Sequence, residues 1–245
     1  MTDIHTHILP GIDDGAADIY DTLDMLAIAA EGGTSTIVAT PHANLRGYYD
    51  NYYDEHYREL LQTVREAARR EQLPITILPG MEVYATSDLL RQLDRGGLIT
   101  LNGSRYLLLE FDFGIEPDRA EELLRLVTGR GLVPVVAHAE RYECVMEEPE
   151  VVRRWRSTGA AIQINSGSLA GLFGRRVRHT AYALMDRRYP DVIASDAHSP
   201  RGRNPYLADA WEVLPEEYPR EYIYALLKKN PRAIVENRAL TDGSA

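Results

Sequence analysis

Nine residues able to bind metal lie at or just beyond the ends of short apolar runs. They are His5 and His7 in DIHTH, Asp14 in IDDG, His42 in TPH, Glu82 in GME, Glu110 in LLLE, His138 in AHAE, and Asp196 and His198 in SDAH. Imidazole and carboxylate are the nitrogen and oxygen donors of divalent metal sites. Carboxylates are needed beside the histidines because neighbouring cations repel unless anionic ligands lie between them. Alternate residues of a strand project to one side, so His5 and His7 can grip one ion together, and Asp196 and His198 can enter one pocket side by side. A lone histidine at a strand end is ordinarily a hydrogen-bonded structural residue, but here five of the seven histidines occupy such ends. The other two, His56 in DEHYREL and His179 in RVRHTAYAL, lie in helical patterns and are expected to serve as surface or helix-packing residues. The competing reading of Glu82 and Glu110 is that each is neutralised by an arginine, as a buried charge must be.

For these side chains to meet, the runs that carry them must converge. Strand candidates are Asp3 to His7, Thr36 to Thr40, Ile75 to Pro79, Tyr106 to Phe111, Val133 to His138, Ala161 to Asn165 and Val192 to Ser195. Helical periodicity falls between them at about 18–31, 53–72, 86–94, 118–130, 149–158 and 175–188, several of these stretches closed by glycine or proline. Repeated strand-helix order implies parallel strands joined by crossovers, and seven of them predict closure into a barrel whose C-terminal strand ends share one mouth. An open doubly wound sheet is the alternative. It would ordinarily carry a glycine-rich phosphate loop after its first strand, and neither GxGxxG nor GxxxxGK[ST] occurs there. With no repeat or linker, residues 1–240 read as a single α/β domain, and 241–245 as a frayed tail.

Composition narrows the partners. Against 27 Lys+Arg stand 37 Asp+Glu, giving a net charge of −10, which argues against a nucleic-acid partner. No apolar run approaches the roughly 18 residues of a membrane span, and MTDIHTHIL lacks the features of a signal peptide, so a cytoplasmic location without membrane insertion is expected. The only cysteine, Cys144, excludes a disulfide framework and a thiolate-rich zinc site. It also excludes cysteine-based phosphatase chemistry, which needs arginine six positions later where this chain has Glu150.

Taken together, DIHTHILPGIDDGA at 3–16, LLLEF at 107–111, HAERY at 138–142, QINSGSLAGLFG at 163–174 and SDAH at 195–198 resemble the polymerase and histidinol phosphatase (PHP) superfamily. The similarity is greatest to the bacterial manganese-dependent protein-tyrosine phosphatases of capsule and exopolysaccharide operons. That resemblance spans Asp3 to about Leu240. It implies a distorted (β/α)7 TIM-like barrel with three divalent ions, manganese first and iron or zinc as alternatives. By the same resemblance His5, His7, Glu82 and Asp196 hold the first ion, Glu82 with Glu110 and His138 the second, and Asp14, His42 and His198 the third. The family usually reads His-Pro-Glu-Arg-Tyr where this chain has Ala139, a change that bears on the rigidity of the turn rather than on any ligand.

Such a cluster suits displacement at phosphorus, in which two ions lower the pKa of a shared water and charge stabilisation does most of the rest. A bidentate guanidinium suits the remaining phosphate oxygens. Arg141 and Arg203 follow His138 and His198 closely, and the resemblance places both at the phosphate. It also implies a partner, the phosphotyrosine tail of a bacterial tyrosine kinase that regulates capsule or exopolysaccharide synthesis. The tyrosine-rich segment GYYDNYYDEHYREL at 47–60 is expected mainly to pack the following helix, with a substrate contact as the alternative. Competing functions are a histidinol-phosphate or other small phosphomonoester phosphatase, and a non-catalytic phosphotyrosine-binding protein.

Overall fold

The computed structural model describes residues 1–241; the rest of the predicted tail, 242–245, lies outside the described residues. Among the described residues nine parallel strands form: β1 Thr2–Thr6, β2 Thr36–Ala39, β3 His42–Ala43, β4 Thr76–Pro79, β5 Glu82–Tyr84, β6 Tyr106–Glu110, β7 Val133–Val136, β8 Ala161–Asn165 and β9 Val192–Ala194. They occupy seven positions, because β2 resumes as β3 and β4 resumes as β5. One sheet runs β1-β2-β4 and the other β3-β5-β6-β7-β8-β9. A bridge between Thr6 and Ala197 joins the first strand position to the last.

The interruptions have a cause in the sequence. Pro41 has no N–H to give a ladder, so β2 stops short of it, and Pro41 O instead accepts from Glu82 N at 3.1 Å. Beside this gap the buried Tyr57 hydroxyl donates to Gly80 O at 2.8 Å and accepts from Gly80 N at 3.0 Å, filling the place of a strand. Gly80 is required there, since a Cβ would lie 2.6 Å from Val38 Cγ1.

Side chains alternate between two cores. Val38, Leu108, Val135, Ala161, Val192 and Ala194 face the barrel interior with Leu101 and Ile234, whereas Ile37, Leu107, Leu109, Val136, Ile162 and Ile193 pack under the helices. Continuing the interior row toward the C-terminal strand ends leads from Val38 to His42, from Leu108 to Glu110 and from Ala194 to Asp196. In β1 the register shifts: Asp3 pairs with Ile37 and Thr6 with Ala39, so Ile4 and His5 together oppose Val38. This bulge lets Ile4 join the interior core while His5 turns into the mouth.

The six stretches of helical periodicity form helices at Ile19–Glu31, Glu55–Arg70, Leu89–Asp94, Pro117–Thr128, Val151–Ser157 and Arg175–Asp186. The segment after His198, for which the sequence predicts no element, holds short helices at Ala208–Val213, Arg220–Tyr224 and Asn230–Val235. The last of these closes the floor of the barrel through Ile234. Asn102 Nδ2 donating to Val235 O at 3.0 Å fastens it there. Thr241 is tied to Asn230, whose Oδ1 accepts from Thr241 N at 3.0 Å. No helix among the described residues is long and apolar enough to cross a membrane.

Candidate metal centre

Hydrogen bonds around His5 and His7 fix where their lone pairs point. Gln163 Oε1 accepts from His138 N at 3.0 Å while its Nε2 donates to Asn165 Oδ1 at 2.7 Å, so the oxygen is the atom facing His5 Nδ1, also at 3.0 Å. His5 therefore carries its proton on Nδ1. Asp13 Oδ2 accepts from His7 Nδ1 at 2.7 Å and assigns the same tautomer to His7. Both Nε2 atoms are then bare, yet they lie 3.2 Å apart. Glu82 Oε2 sits 3.2 Å from each, and Asp196 Oδ1 lies 3.4 Å from His5 Nε2 and 3.5 Å from His7 Nε2. Four electron pairs thus converge on one buried point, and Glu82 Oε2 has no hydrogen-bond donor. Convergent acceptors with protons held on their far sides suit a cation, and despite burial the same carboxylates favour positive charge on His5 and His7.

The remaining ligand candidates continue outward. His138 Nε2 is 3.0 Å from Glu82 Oε1 and 3.6 Å from Glu110 Oε1. His42 Nδ1 is 3.0 Å from Glu82 Oε2, and its Nε2 is 3.4 Å from Asp14 Oδ1. His198 gives its Nδ1 proton to Asp196 O at 3.0 Å and turns Nε2 toward Asp14 Oδ1 at 3.4 Å. All nine sequence-predicted residues meet in this mouth. Among the described residues three groups have donor atoms close enough to share an ion: His5, His7, Glu82 and Asp196; His7, Asp14, His42 and His198; and His42, Glu82 and Glu110. The grouping differs from the expected one in that His7 also reaches the outer set and His42, rather than His138, groups with Glu82 and Glu110.

The electrostatics suit cations. Burial opposes charge on Glu82 and Asp196, but His5 and the other imidazoles facing them hold both carboxyls well below the usual range. Burial likewise opposes a charged His42, yet Glu82 and Glu110 hold its imidazole up at about 10. His198 goes the other way, down to about 4, chiefly through burial.

Arg141 and Arg203 stand on the rim. Their terminal nitrogens lie 3.4 Å and 2.6 Å from Asp196 Oδ2. Arg141 is held between two rings, its guanidinium carbon 4.7 Å from the Phe113 centroid and 4.6 Å from that of Phe173. Arg203 shares the Phe173 ring at 5.3 Å. Tyr49 stacks on His42 at 4.9 Å and 14°, so the tyrosine-rich segment both packs, through Tyr57, and reaches the site, through Tyr49. His56 and His179 are exposed, consistent with the surface role expected of them.

The profile of the capsular polysaccharide synthesis proteins CpsB/CapC matches residues 1–236. The chain belongs to the CpsB/CapC family. It is 36% identical over 240 residues to the tyrosine-protein phosphatase YwqE of Bacillus subtilis, covering 98% of this chain and 93% of that one. It is 31% identical over 245 residues to the tyrosine-protein phosphatase CpsB of Streptococcus pneumoniae, covering 98% and 100%. Among solved structures it matches, with a TM-score of 0.92 and 35% identity over 98% of this chain and 96% of the other, one reported with YwqE from Bacillus subtilis and CpsB from Streptococcus pneumoniae as unique metal-dependent tyrosine phosphatases. A β-aspartyl dipeptidase from Fervidobacterium islandicum matches with a TM-score of 0.55 at 15% identity over 96% of this chain and 72% of the other, a likeness of fold alone.

In this CpsB/CapC family member several supporting residues were not singled out from the sequence. Asp13 also accepts from Gly15 N at 2.9 Å and His42 N at 3.0 Å, knitting the first two strand ends together. Its signal was the doubled aspartate before Gly15, where a Cβ would sit 2.2 Å from His7 O. Gln163, Asn165 and Glu140 form a buried layer beneath the ligands, with Glu140 Oε1 accepting from Asn165 N at 2.9 Å and Asn165 Nδ2 donating to Asp196 Oδ2 at 2.6 Å. Two polar residues inside the apolar strand AIQIN were the available sign. His138 and Asp196 adopt left-handed backbone, φ 33° and 52°, a conformation that non-glycine residues keep where the surroundings over-determine it.

Proposed function

We propose that this protein is a metal-dependent protein-tyrosine phosphatase, a phosphoric monoester hydrolase. In this reading His5, His7, Asp14, His42, Glu82, Glu110, His138, Asp196 and His198 hold three divalent ions, manganese before iron or zinc. The observation that carries it is the convergence of the bare Nε2 atoms of His5 and His7 with Glu82 Oε2 and Asp196 Oδ1 in a chain of CpsB/CapC fold. When bound, divalent ions at these ligands lower the pKa of water toward neutrality and offset phosphate charge.

The chain's own residues would do the rest. Arg141 and Arg203 present planar guanidinium groups on one side of the mouth, where they can take phosphate oxygens and stabilise charge that builds during transfer. Phe113 and Phe173 hold the Arg141 fork in place. Tyr49 offers an aromatic face beside His42 for the substrate ring. A tyrosyl leaving group, with a pKa near ~10, departs with little protonation, so no dedicated general acid is needed. The substrate we assign is the phosphotyrosine tail of a bacterial tyrosine kinase that regulates capsule or exopolysaccharide synthesis in the cytoplasm, a choice supported by the family's place in capsular polysaccharide synthesis.

Elemental analysis paired with phosphate release tests the division of labour. Glu82→Ala is expected to lose both metal and turnover, whereas Arg203→Ala keeps its metal and loses roughly 10² to 10³ in kcat/KM. A fully active Arg203→Ala, or a Glu82→Ala that keeps all its metal, contradicts these assignments.

A further inference from the structure

Beside Arg203 and Phe173 lies a cavity of about 330 Å³, most of whose lining the proposed chemistry does not use. Its walls include Phe173, Arg178, Tyr182, Arg203, Tyr206 and Asp209, drawn from the turn after β8, the Arg175–Asp186 helix and the segment following His198. We propose that this cavity is a specificity subsite that receives the carboxylate side chain of an aspartate or glutamate flanking the phosphotyrosine of the substrate. The proposal rests on the phosphatase reading above.

Three observations support it. The cavity begins at Arg203, whose other face meets the ligand cluster through Asp196, so a residue entering it is a near neighbour of the phosphate in an extended peptide, which advances only about 3.3 Å per residue. Its charge is locally opposite to that of the molecule. In a chain of net −10, the cavity lining carries Arg178 and Arg203, the latter already paired with Asp196 through one terminal nitrogen, and a single carboxylate, the exposed Asp209. Bonding capacity is also left over. Arg178 gives Nε to Leu169 O at 3.0 Å and lies 5.3 Å from the Tyr182 ring, but among the described residues it pairs with no carboxylate. Arg203 Nε is buried with no acceptor. An anionic side chain of modest size, with its stem against Phe173 and Tyr182 and its head at Arg178, satisfies all three conditions.

The test uses phosphotyrosine peptides in which glutamate replaces glutamine at each position flanking the phosphotyrosine in turn, with free phosphotyrosine as the probe that cannot reach the cavity. At one position glutamate is expected to lower KM roughly two- to fivefold with kcat unchanged, the scale of one partly exposed ion pair. A labelled peptide with a non-hydrolysable phosphonate should show the same ratio in Kd. Arg178→Gln should erase the preference and Arg178→Lys should keep part of it, while both leave free phosphotyrosine hydrolysis unchanged. Equal KM for every peptide, or a preference that survives in Arg178→Gln, overturns the subsite while leaving the phosphatase reading intact. A wild-type protein that hydrolyses neither peptide nor free phosphotyrosine overturns that reading, and the subsite with it.

Discussion

His5 Nδ1 donates to Gln163 Oε1 across 3.0 Å, tying the first strand to the eighth beneath the ligand cluster. Because the same oxygen accepts from His138 N, one uncharged side chain sets the tautomer of one proposed ligand and the position of another. Gln163→Leu is therefore expected to weaken metal affinity about 10- to 100-fold with little change in secondary structure. Metal titration followed by calorimetry reads this directly, and wild-type affinity would show that His5 needs no such partner.

Gly15 is a steric requirement. An alanine Cβ would overlap His7 O at 2.2 Å and His7 Cβ at 2.4 Å, and both are backbone-fixed. Gly15→Ala should cost about 1–3 kcal/mol through forced displacement and should displace His7 from the cluster as well. Thermal unfolding with and without Mn²⁺ checks both effects: Tm falls, and the rise in Tm on adding metal shrinks. An unchanged metal-induced shift contradicts the placement of His7.

Stacking between Phe113 and Phe173 depends on a flat cation, so Arg141→Lys is not a mild change. It should keep full metal content and still lose on the order of 10² in kcat/KM. Activity near wild type would show that charge alone suffices at this position.

Cys144 should be a bystander. Burial pushes its thiol up to about 11. At pH 8 only about one molecule in a thousand then carries the reactive thiolate, and alkylation by iodoacetamide should be slow and rise about tenfold per pH unit. An unfolded thiol has a pKa near ~8.5, so the unfolded chain deprotonates first. The thiol's contribution to stability is thus present below about pH 8.5 and is lost as the pH rises toward 11. Cys144→Ser should retain the wild-type phosphatase rate, and a large loss would place the thiol in the chemistry.

The strand ends were legible because each ligand candidate follows a short apolar run that only a buried strand explains, and because repeated crossovers leave few topologies open. What was hidden depends on geometry that no residue type announces. The bulge at Ile4 and His5 leaves the spacing of HxH untouched, yet it decides that His5 faces inward. Gln163, Asn165 and Glu140 carry no pattern beyond being polar where apolar residues are expected, and their role appears only when β7, β8 and β9 are side by side. The helical run from Arg220 to Val235 was missed because a π-helical stretch at Ala225–Lys229 shifts its period and Pro231 within it reads as a breaker. Tyr49 reaches His42 through a turn, with Tyr49 N bonded to Leu45 O at 2.8 Å, and so reverses direction within a segment that otherwise leads into a helix.

The central claim is that divalent metal at this mouth cleaves phosphotyrosine. Its most direct test is phosphate release by one preparation, first chelated and then restored with Mn²⁺, from a phosphotyrosine peptide, a phosphoserine peptide and histidinol phosphate. We expect no release after chelation, recovery with Mn²⁺, and a kcat/KM for phosphotyrosine well above that for either alkyl ester. A rate that survives exhaustive chelation, or a clear preference for histidinol phosphate, would contradict the account.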